Sequence, residues 1–320
     1  MAQSFGPRVL IASAEHDDHA RHVADLLAKR SVPFAFVDMG CFPRQLGLSF
    51  EPTELPKVRA CRTGSGDLAF EQVRSIWWRR PRPPAAGPEV ADPSVRAFCA
   101  RESEHAFMGF WLALERILWV NDPSKDRAAH KPYQLATAHR LGMTTPRTLV
   151  TNDPKSATDF MEEIGLDRTV YKVLVSDPVC WRETRRLRKE ELAYLDRLRH
   201  APVIFQEHVC GRLDVRATVV GDRVFAAAID ATATNYPQDY RLDLAHAILR
   251  EYALPDSVAG QLVRLSRALG LVYAAADFRV TPEGEHVFLE LNPAGQWLFI
   301  EQSTGLPIGA ALADLLSSTA

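Results

Sequence analysis

Residues 276–301 read ADFRVTPEGEHVFLELNPAGQWLFIE and form the most informative segment of the chain. Two apolar runs flank a Thr-Pro-Glu-Gly turn at residues 281–284, which predicts a β-hairpin. Asp277 lies in the first run, and Glu290 and Asn292 lie in the second, two residues apart. Because side chains i and i+2 of a strand share a face, we expect the hairpin to bring these three side chains together.

Such a group of carboxylate and amide oxygens suits Mg²⁺, whose coordination is usually completed by substrate phosphates and water. The alternative is a solvated strand face, which is the better explanation for a single acidic residue. Burying a carboxylate without a partner is costly, so these side chains would need a cation or hydrogen-bond donors. Three of them within apolar runs favour the magnesium interpretation.

The bulk composition excludes several classes of protein. The chain has 320 residues, which suggests two or three structural domains, and its 47% hydrophobic and 24% charged residues are ordinary for a globular protein with a core. A net charge of −2 argues against a chain-wide nucleic-acid surface, and five scattered cysteines without C-x-x-C indicate neither a zinc site nor a disulfide framework. No apolar run approaches about 18 residues and no signal peptide is recognisable, so we expect a cytoplasmic protein that does not enter a membrane.

The N-terminal region predicts a parallel α/β unit. Apolar runs at residues 8–13 and 33–37 flank a helical pattern over residues 15–30, which is strand–helix–strand order. The loop after the first run lacks G-x-G-x-x-G, so the dinucleotide fingerprint is absent. His16, His19 and His22 could share a helix face as a metal site, but a polar, solvated helix start explains them better.

A third apolar strand pattern, at residues 75–78, is followed by Arg79 and Arg80 and then by a proline-rich loop. The two arginines are either surface residues or ligand-binding residues, since open α/β sheets bind ligands at strand ends. Residues 93–118 predict one long helix with an apolar stripe, including Phe98, that faces the core. We place the first domain boundary near residue 122.

Two lysines mark the middle of the chain. Lys131 lies in a predicted helix over residues 126–141, and Lys172 lies in an apolar strand pattern over residues 169–175. A lone lysine is usually at an edge or snorkels to water, but an inward-facing one needs an anionic partner such as phosphate. A hairpin around Gly221 and Asp222 follows, and a helix over residues 258–269 leads back to the opening hairpin.

Residues 181–199 are rich in basic side chains: Arg182, Arg185, Arg186 and Arg188. One interpretation is a solvated helix face with i,i+4 ion pairs. The other is a surface that, as a group, docks an acidic peptide. No aromatic residues interleave with the arginines, so nucleic acid is a poor fit.

The hairpin at residues 276–292 resembles the metal-binding end of an ATP-grasp ligase, in which an Asp on one strand and a Glu-x-Asn on the next hold two magnesium ions. Its continuation, NPAGQW at 292–297 and EQSTGLPI at 301–308, is similar to the C-terminal signature of the ligases that macrocyclise microviridins and other graspetides. The string WWRRP at 77–81 resembles the same family. The resemblance covers almost the whole chain. It implies an α/β ATP-grasp fold with a Rossmann-like pre-ATP-grasp domain at residues 1–122, a central α+β lobe at 123–205 and a C-terminal α+β lobe at 206–320.

The same resemblance implies roles for individual residues. Lys131 and Lys172 match the phosphate-binding lysines, and Arg216 matches an arginine near the reacting phosphate, so Arg216 and Lys172 are the expected catalytic residues. The remaining ATP contacts are expected at the adenine hinge and the ribose: Gln206, Glu207, Val209 and Asp214. The expected ligands of two Mg²⁺ ions are Asp277, Glu290 and Asn292.

For the graspetide family the implied partner is a ribosomally made precursor peptide, and the enzyme is expected to be a homodimer. ATP would activate an Asp or Glu side chain as an acyl phosphate, which a Thr, Ser or Lys side chain attacks to give an ω-ester or ω-amide. The leader would dock around residues 174–199 on the four arginines above. The core peptide would meet Arg79, Asp239 and Arg241, although Tyr240 departs from the more frequent Asp-Trp-Arg pattern.

Two other functions share part of this pattern. A ligase that adds a free amino acid to a protein or small-molecule acceptor, like the ribosomal-protein glutamate ligase, shares the ATP residues but not the tail at residues 295–307. A nucleotide-binding regulator with an inactive site would not need the complete set of lysines and metal ligands. The tail therefore favours a peptide substrate.

Overall fold

The structure is a computed structural model and describes residues 6–51, 58–63, 66–68, 70, 72–114, 116–175, 184–211, 213–230 and 247–318, with the backbone alone at residues 50, 58–63, 66 and 67. Its strands in chain order are β1 Val9–Ala12, β2 Phe34–Phe36, β3 Gly47–Phe50, β4 Val58–Thr63, β5 Gly66–Leu68, β6 Ser75–Trp78, β7 Leu118–Val120, β8 Thr148–Thr151, β9 Thr169–Lys172, β10 Arg185–Arg186, β11 Val203–Glu207, β12 Leu213–Val220, β13 Arg223–Asp230, β14 Ile248–Glu251, β15 Tyr273–Val280 and β16 His286–Asn292. Its α-helices are α1 Asp18–Lys29, α2 Pro93–Leu112, α3 Pro123–Ala128, α4 Lys131–Arg140, α5 Pro154–Ile164, α6 Asp256–Ala268, α7 Leu298–Thr304 and α8 Ile308–Ser317. A 3₁₀ helix covers Lys189–His200.

The strands form four sheets. A parallel sheet in the order β2-β1-β6-β7 and a small antiparallel sheet, β3-β4-β5, lie in the N-terminal part of the chain. An antiparallel sheet in the order β10-β9-β11-β8 lies in the middle. The largest sheet, in the order β14-β13-β12-β15-β16, is antiparallel and C-terminal.

One hydrophobic core joins the two ends of the chain. Apolar side chains of β1, α1 and β6 pack in a single cluster with Trp297 and with the inner face of α8. Trp297 is completely buried there, as are Ile308 and Leu312. The N-terminal parallel unit and the C-terminal tail are therefore packed against each other, which places the end of β6 near the end of β16.

Several sequence predictions are confirmed by these elements. The strand–helix–strand start forms a parallel sheet, since β1 pairs with β2 in parallel register. The two hairpins form as well, with β12 paired to β13 and β15 paired to β16. Among the described residues, no helix is long and apolar enough to cross a membrane.

Two helix predictions were wrong in their extent. The helix expected over residues 93–118 ends at Leu112, and Arg116 has φ of +56°, a left-handed backbone that cannot continue an α-helix. Phe98, expected in the core, is 55% exposed. The helix expected over residues 126–141 is two helices, because Pro132 lacks an N–H and clashes with the preceding turn, so that α4 begins anew at Lys131.

The expected domain limits remain a proposal. The limit at residue 122 falls just after β7. The limit between residues 205 and 206 falls inside β11, whose described ladder partners are β8 and β9 of the middle sheet. We propose that the second limit lies after Glu207, because a boundary within a strand would divide that sheet.

Candidate active site

The strand register brings the predicted metal ligands to one face of the C-terminal sheet. Asp277 on β15 is directly opposite Glu290 on β16, and Asn292 is opposite Ala275. Residues opposite each other in an antiparallel pair project to the same side, as do residues two apart in one strand. The side chains of Asp277 and Glu290 are 15% and 22% exposed, so both are mostly covered by other residues.

Each of these carboxylates faces a cation. Arg216 on β12 is opposite Asp277, and its Nη1 lies 2.7 and 2.8 Å from the two carboxylate oxygens. Nζ of Lys131 lies 3.1 Å from Oε2 of Glu290. Burying a carboxylate requires such compensation, and a bound Mg²⁺ ion would supply the same positive charge.

Helix α4 delivers Lys131 to this face through one buried glutamine. Gln134, one turn after Lys131, donates from Nε2 to the carbonyl of Leu291 (2.7 Å) and accepts from the backbone N–H of Leu291 (2.9 Å). These bonds fix the start of α4 beside β16, so the lysine lies next to Glu290. Nζ of Lys131 also lies 3.3 Å from the carbonyl of Val173, immediately after β9. The Lys131 side chain thus bridges the middle and C-terminal sheets.

The middle sheet carries the expected adenine and phosphate residues. Lys172, the last residue of β9, is 8% exposed and lies opposite Ile204 of β11. Gln206 near the end of β11 donates from Nε2 to Oγ1 of Thr148 at 2.8 Å. Glu207 forms an ion pair with Arg168, and Val209 follows just beyond the strand.

Asp214 lies on the same face as Arg216, two residues earlier on β12. Arg279 on β15 is directly opposite and grips both of its carboxylate oxygens, from Nε at 2.6 Å and from Nη2 at 3.1 Å. Opposite charges therefore alternate along β12, from Asp214 to Arg216, and along β15, from Arg279 to Asp277. The carboxylates of Asp277 and Glu290 are neighbours across the ladder of β15 and β16. A face that carries both guanidinium and carboxylate groups can hold a polyanion together with its counter-cations.

The N-terminal unit also contributes to the site. Arg79, directly after β6, donates from Nη1 to the carbonyls of Ala294 (2.7 Å) and Gly295 (3.2 Å) in the loop that follows Asn292. Arg79 was expected to touch the core peptide, but its side chain is only 1% exposed, so in this structure it holds the loop instead. The neighbouring Arg80 is exposed and donates from Nε to the same Ala294 carbonyl at 3.0 Å.

Two histidines that the sequence analysis assigned to a solvated turn lie at the same junction. Nε2 of His19 accepts hydrogen bonds from the backbone N–H groups of Trp297 and Leu298. Nε2 of His22 lies 2.7 Å from Oε1 of Glu301, whose other oxygen accepts from the N–H of Gly309. The solvated-turn interpretation was therefore wrong for His19 and His22, because both rings pack against the tail. Among the described residues, no three His, Cys, Asp or Glu side chains are grouped to hold a metal ion.

Further buried groups fix the loop and were not predicted. Asn121 donates from Nδ2 to the carbonyls of Tyr273 (2.7 Å) and Pro293 (2.9 Å), and its Oδ1 accepts from the N–H groups of Val272 and Tyr273. The hydroxyl of Tyr273 donates to the carbonyl of Gly295 at 2.6 Å, and burial raises the pKa of this hydroxyl to about 12. A neutral, hydrogen-bonded phenol therefore anchors the loop at neutral pH.

The expected peptide-binding residues are described only in part. Arg182, Asp239 and Arg241 lie outside the described residues. Arg185 and Arg186 form β10, the outer strand of the middle sheet, and both are exposed. Arg188 is also exposed and precedes the 3₁₀ helix, where its N–H donates to Glu191 at 2.9 Å.

Several solved structures resemble this chain over nearly its whole length. Residues 8–127 match the family model of the MvdD pre-ATP grasp domain, and no curated protein matches the sequence. The macrocyclase MdnB from Microcystis aeruginosa MRC is 30% identical with a TM-score of 0.81, over 98% of this chain and 99% of MdnB. The macrocyclase MdnC from the same organism, bound with precursor peptide MdnA, is 26% identical with a TM-score of 0.88, over 97% of this chain and 99% of MdnC. The ATP-grasp ligase PsnB, complexed with a phosphomimetic variant of a minimal precursor, Mg and ADP, is 26% identical with a TM-score of 0.79, over 97% of both chains.

Fold and site together define an ATP-grasp ligase with a pre-ATP-grasp domain, which is an enzyme of the ligase class. The chain belongs to the graspetide, or microviridin-type, family of ATP-grasp ligases that mature ribosomal peptides. The α/β ATP-grasp fold expected from the C-terminal hairpin is thereby confirmed.

Proposed function

We propose that this enzyme is an ATP-dependent macrocyclase of a ribosomal precursor peptide. It joins Asp or Glu side chains to Thr or Ser hydroxyls or to Lys amines, giving ω-esters or ω-amides. The observation that carries the proposal is the oxygen cluster of Asp277, Glu290 and Asn292, set between Lys131 and Arg216 in a chain that matches the macrocyclase MdnB over 98% of its length.

The proposed site for ATP is the face between the middle and C-terminal sheets. In the proposed arrangement Lys131 and Lys172 bind its phosphates, and Asp214 binds the ribose. The adenine hinge consists of Gln206, Glu207 and Val209. PsnB in complex with Mg and ADP supports this choice of nucleotide and ion for a related enzyme.

The oxygen cluster fits Mg²⁺. Asp277, Glu290 and Asn292 offer two carboxylates and an amide oxygen, which are hard ligands. Oδ1 of Asn292 accepts one hydrogen bond, from the N–H of Ala294 at 3.0 Å, and retains a second lone pair. We propose two ions, as in the family pattern. Magnesium would neutralise charge on the transferring phosphoryl group.

The proposed reaction has two steps, phosphorylation of the carboxylate and displacement of the phosphate. A carboxylate oxygen of the peptide forms a bond to the γ-phosphorus of ATP while the bond to the β-phosphate oxygen breaks, which gives an acyl phosphate and ADP. The hydroxyl or amine then bonds to the acyl carbon, the bond to the phosphate oxygen breaks, and the nucleophile loses its proton to solvent. Arg216 and Lys172 are the proposed catalytic residues, since fixed cations stabilise the charge that develops on the phosphoryl oxygens.

The proposed partner is the precursor peptide, with its leader on the middle sheet. Exposed Arg185, Arg186 and Arg188 lie at the edge of that sheet and suit an acidic leader. The proposal retains Arg182 for the leader and Asp239 and Arg241 for the core. MdnC bound with its precursor MdnA supports a peptide partner, and the proposed assembly is a homodimer.

The test is a mass measurement. The purified enzyme with ATP, Mg²⁺ and the short Thr-, Asp- and Glu-rich peptide encoded beside its gene should lower the peptide mass by one water per crosslink. Hydroxylamine treatment then distinguishes esters, which it cleaves, from amides. No loss of water from any neighbouring peptide, together with transfer of free glutamate to an acceptor, would contradict the macrocyclase proposal.

A further inference from the structure

The two arginines after β6 are adjacent in sequence but differ in exposure and in the number of hydrogen bonds they make. Arg79 is 1% exposed and binds the carbonyls of Ala294 and Gly295. Arg80 is exposed and uses only Nε, which donates to the Ala294 carbonyl. Its terminal nitrogens, Nη1 and Nη2, have no hydrogen-bond partner among the described residues. Arg80 therefore presents the two parallel N–H groups with which a guanidinium binds a carboxylate.

Arg80 is linked to the proposed reacting centre through one residue, Ala294. Nε of Arg80 donates to the carbonyl of Ala294, and the N–H of Ala294 donates to Oδ1 of Asn292 at 3.0 Å. On the other side of the same loop, Nη2 of Arg216 donates to the carbonyl of Gln296 at 3.3 Å. Arg80 thus borders the loop that links the proposed metal ligands to Arg216.

The side chains near this loop carry more positive than negative charge, which favours binding of an anion. Three guanidinium groups, those of Arg79, Arg80 and Arg216, bind carbonyls of residues 294–296. Oδ1 of Asp17 lies 3.5 Å from Nε of Arg79, and Asp277 forms an ion pair with Arg216. Arg80 forms no ion pair with a carboxylate in the described part of the chain, although the charge of Asp17 raises its pKa from a longer distance. Desolvation by the surrounding protein, and next the charge of Arg79, lower the pKa of the Arg80 guanidinium, an effect that a bound anion would offset.

The backbone of Arg80 supports a functional role. Its φ is +44°, in the left-handed region, although the following Pro81 favours extended backbone in the residue before it. A strained backbone persists where surrounding contacts hold it, and such residues cluster at ligand sites. Here the hydrogen bond to Ala294 fixes the direction in which the guanidinium points.

We propose that Arg80 binds the side-chain carboxylate of the precursor's Asp or Glu before it is phosphorylated. The inference rests on the proposed function and names the residue that recognises the acidic side chain. It assigns to Arg80 the peptide contact that the sequence had suggested for Arg79. A guanidinium also binds phosphate oxygens, so the alternative ligand of Arg80 is a phosphate of ATP. The experiment below distinguishes the peptide carboxylate from this phosphate.

The experiment compares Arg80→Ala and Arg80→Lys with Arg82→Ala. Arg82 is an exposed arginine two residues further on whose guanidinium binds Asp38 and not the loop, so its variant serves as the control. Loss of water from the precursor by the unmodified enzyme is measured first and tests the proposed function by itself. The KM for the precursor should then rise about 10- to 100-fold in Arg80→Ala, the effect of losing a charge-assisted bidentate contact. Arg80→Lys should restore only part of it.

The affinity for AMPPNP, an ATP analogue that keeps a γ-phosphate and is not cleaved, is measured by calorimetry and should change less than about twofold in both Arg80 variants and in the control. A fall in AMPPNP affinity without a rise in precursor KM would assign Arg80 to the nucleotide and overturn the inference. Equal kinetics in Arg80→Ala and Arg82→Ala would overturn it as well. Thermal unfolding of each variant shows whether the fold is retained.

A labelling experiment needs no turnover. Phenylglyoxal modifies exposed arginines, and mass spectrometry locates the label on Arg80. The precursor should protect Arg80, whereas the same precursor with every core Asp and Glu changed to Asn and Gln should not. Equal protection by both peptides would contradict recognition of a carboxylate.

Discussion

Nε2 of His19 accepts a hydrogen bond from the backbone nitrogen of Trp297 at 3.1 Å, across 278 residues of sequence. The same nitrogen accepts from the N–H of Leu298 at 3.2 Å, at the start of α7. An imidazole nitrogen that accepts two N–H groups carries no proton, so His19 is neutral in this arrangement. The N-terminal helix thus holds the segment that leads from Asn292 into the tail.

The first prediction concerns pH. Burial, and next the charge of Arg79, lower the pKa of His19 to about 4 from its ordinary 6.5. Because the unfolded chain binds the proton more readily, the stability that His19 contributes is present above pH 6.5 and is lost as the pH falls towards 4. The loss should reach at most about 3 kcal/mol, measured by chemical unfolding between pH 7 and pH 4.

His19→Gln should flatten this dependence, because a glutamine carbonyl can accept the same N–H groups without titrating. His16→Gln is the matched control, since His16 is exposed and should leave the slope unchanged. An unaltered slope in His19→Gln would show that another group carries the pH dependence.

The second prediction concerns the oxygen cluster. Glu290→Gln keeps the size of the side chain but removes the charge that faces Lys131 and the proposed magnesium. We expect kcat to fall about 100-fold or more, the scale of losing one charge-stabilising group at a reacting phosphate. The measurement is ADP release in the presence of precursor.

Glu283→Gln supplies the control, because Glu283 lies in the exposed turn of the same hairpin. Its kcat should match that of the unmodified enzyme. Full activity in Glu290→Gln would show that this residue is not a metal ligand.

The third prediction concerns the close approach of the loop to the sheet. A Cβ at Gly295 would lie 2.3 Å from the Cβ of Ala275 and 3.1 Å from Nη2 of Arg216. Neither the backbone of β15 nor the ion-paired arginine can move without disturbing Asp277. Gly295→Ala should therefore lower kcat/KM at least about 10-fold and destabilise the fold by about 1–3 kcal/mol.

The control for overpacking is Gly109→Ala in α2. A Cβ at Gly109 would meet no atom within 4 Å. In a helix interior this change should stabilise by about 0.5–1 kcal/mol and leave activity unaltered. If the two alanine variants behaved alike in activity assays, the close approach of Gly295 would have no functional role.

Structural features of this molecule were predictable from the sequence when they depend on residues that are close together in the chain. The face shared by Asp277 and Glu290 follows from strand geometry and a short turn, so periodicity was enough to predict it. The family signature then supplied the ATP-grasp fold. Helix ends were less predictable, since the exposed Phe98 and the left-handed Arg116 break no apolar pattern.

Contacts with distant main-chain atoms could not be predicted. His19, Gln134 and Asn121 each bind backbone groups more than 100 residues away in the sequence. A backbone N–H or carbonyl has no side-chain signature, so no pattern marks the residue that will meet it. Likewise nothing in the sequence distinguishes the role of Arg79 from that of Arg80. Only the structure shows that Arg79 is buried and binds the loop, whereas Arg80 is exposed to solvent.

The last prediction concerns Asn121, which lies directly after β7 and is 2% exposed. Its amide makes four hydrogen bonds to main-chain groups of residues 272, 273 and 293, and thereby ties the N-terminal unit to the start of β15 and to the residue directly after β16. Asn121→Ala would leave these buried groups without partners, each at a cost of about 1–3 kcal/mol, so we expect a loss of at least about 3 kcal/mol of unfolding free energy. Asn121→Asp should not rescue the protein, because a carboxylate cannot donate to the carbonyls of Tyr273 and Pro293.

Asn152→Ala, at an exposed turn, is the control and should change stability by less than about 0.5 kcal/mol. Denaturant unfolding of the three variants decides the matter: equal stability in Asn121→Ala and Asn152→Ala would mean that the hairpin holds its position without the N-terminal unit.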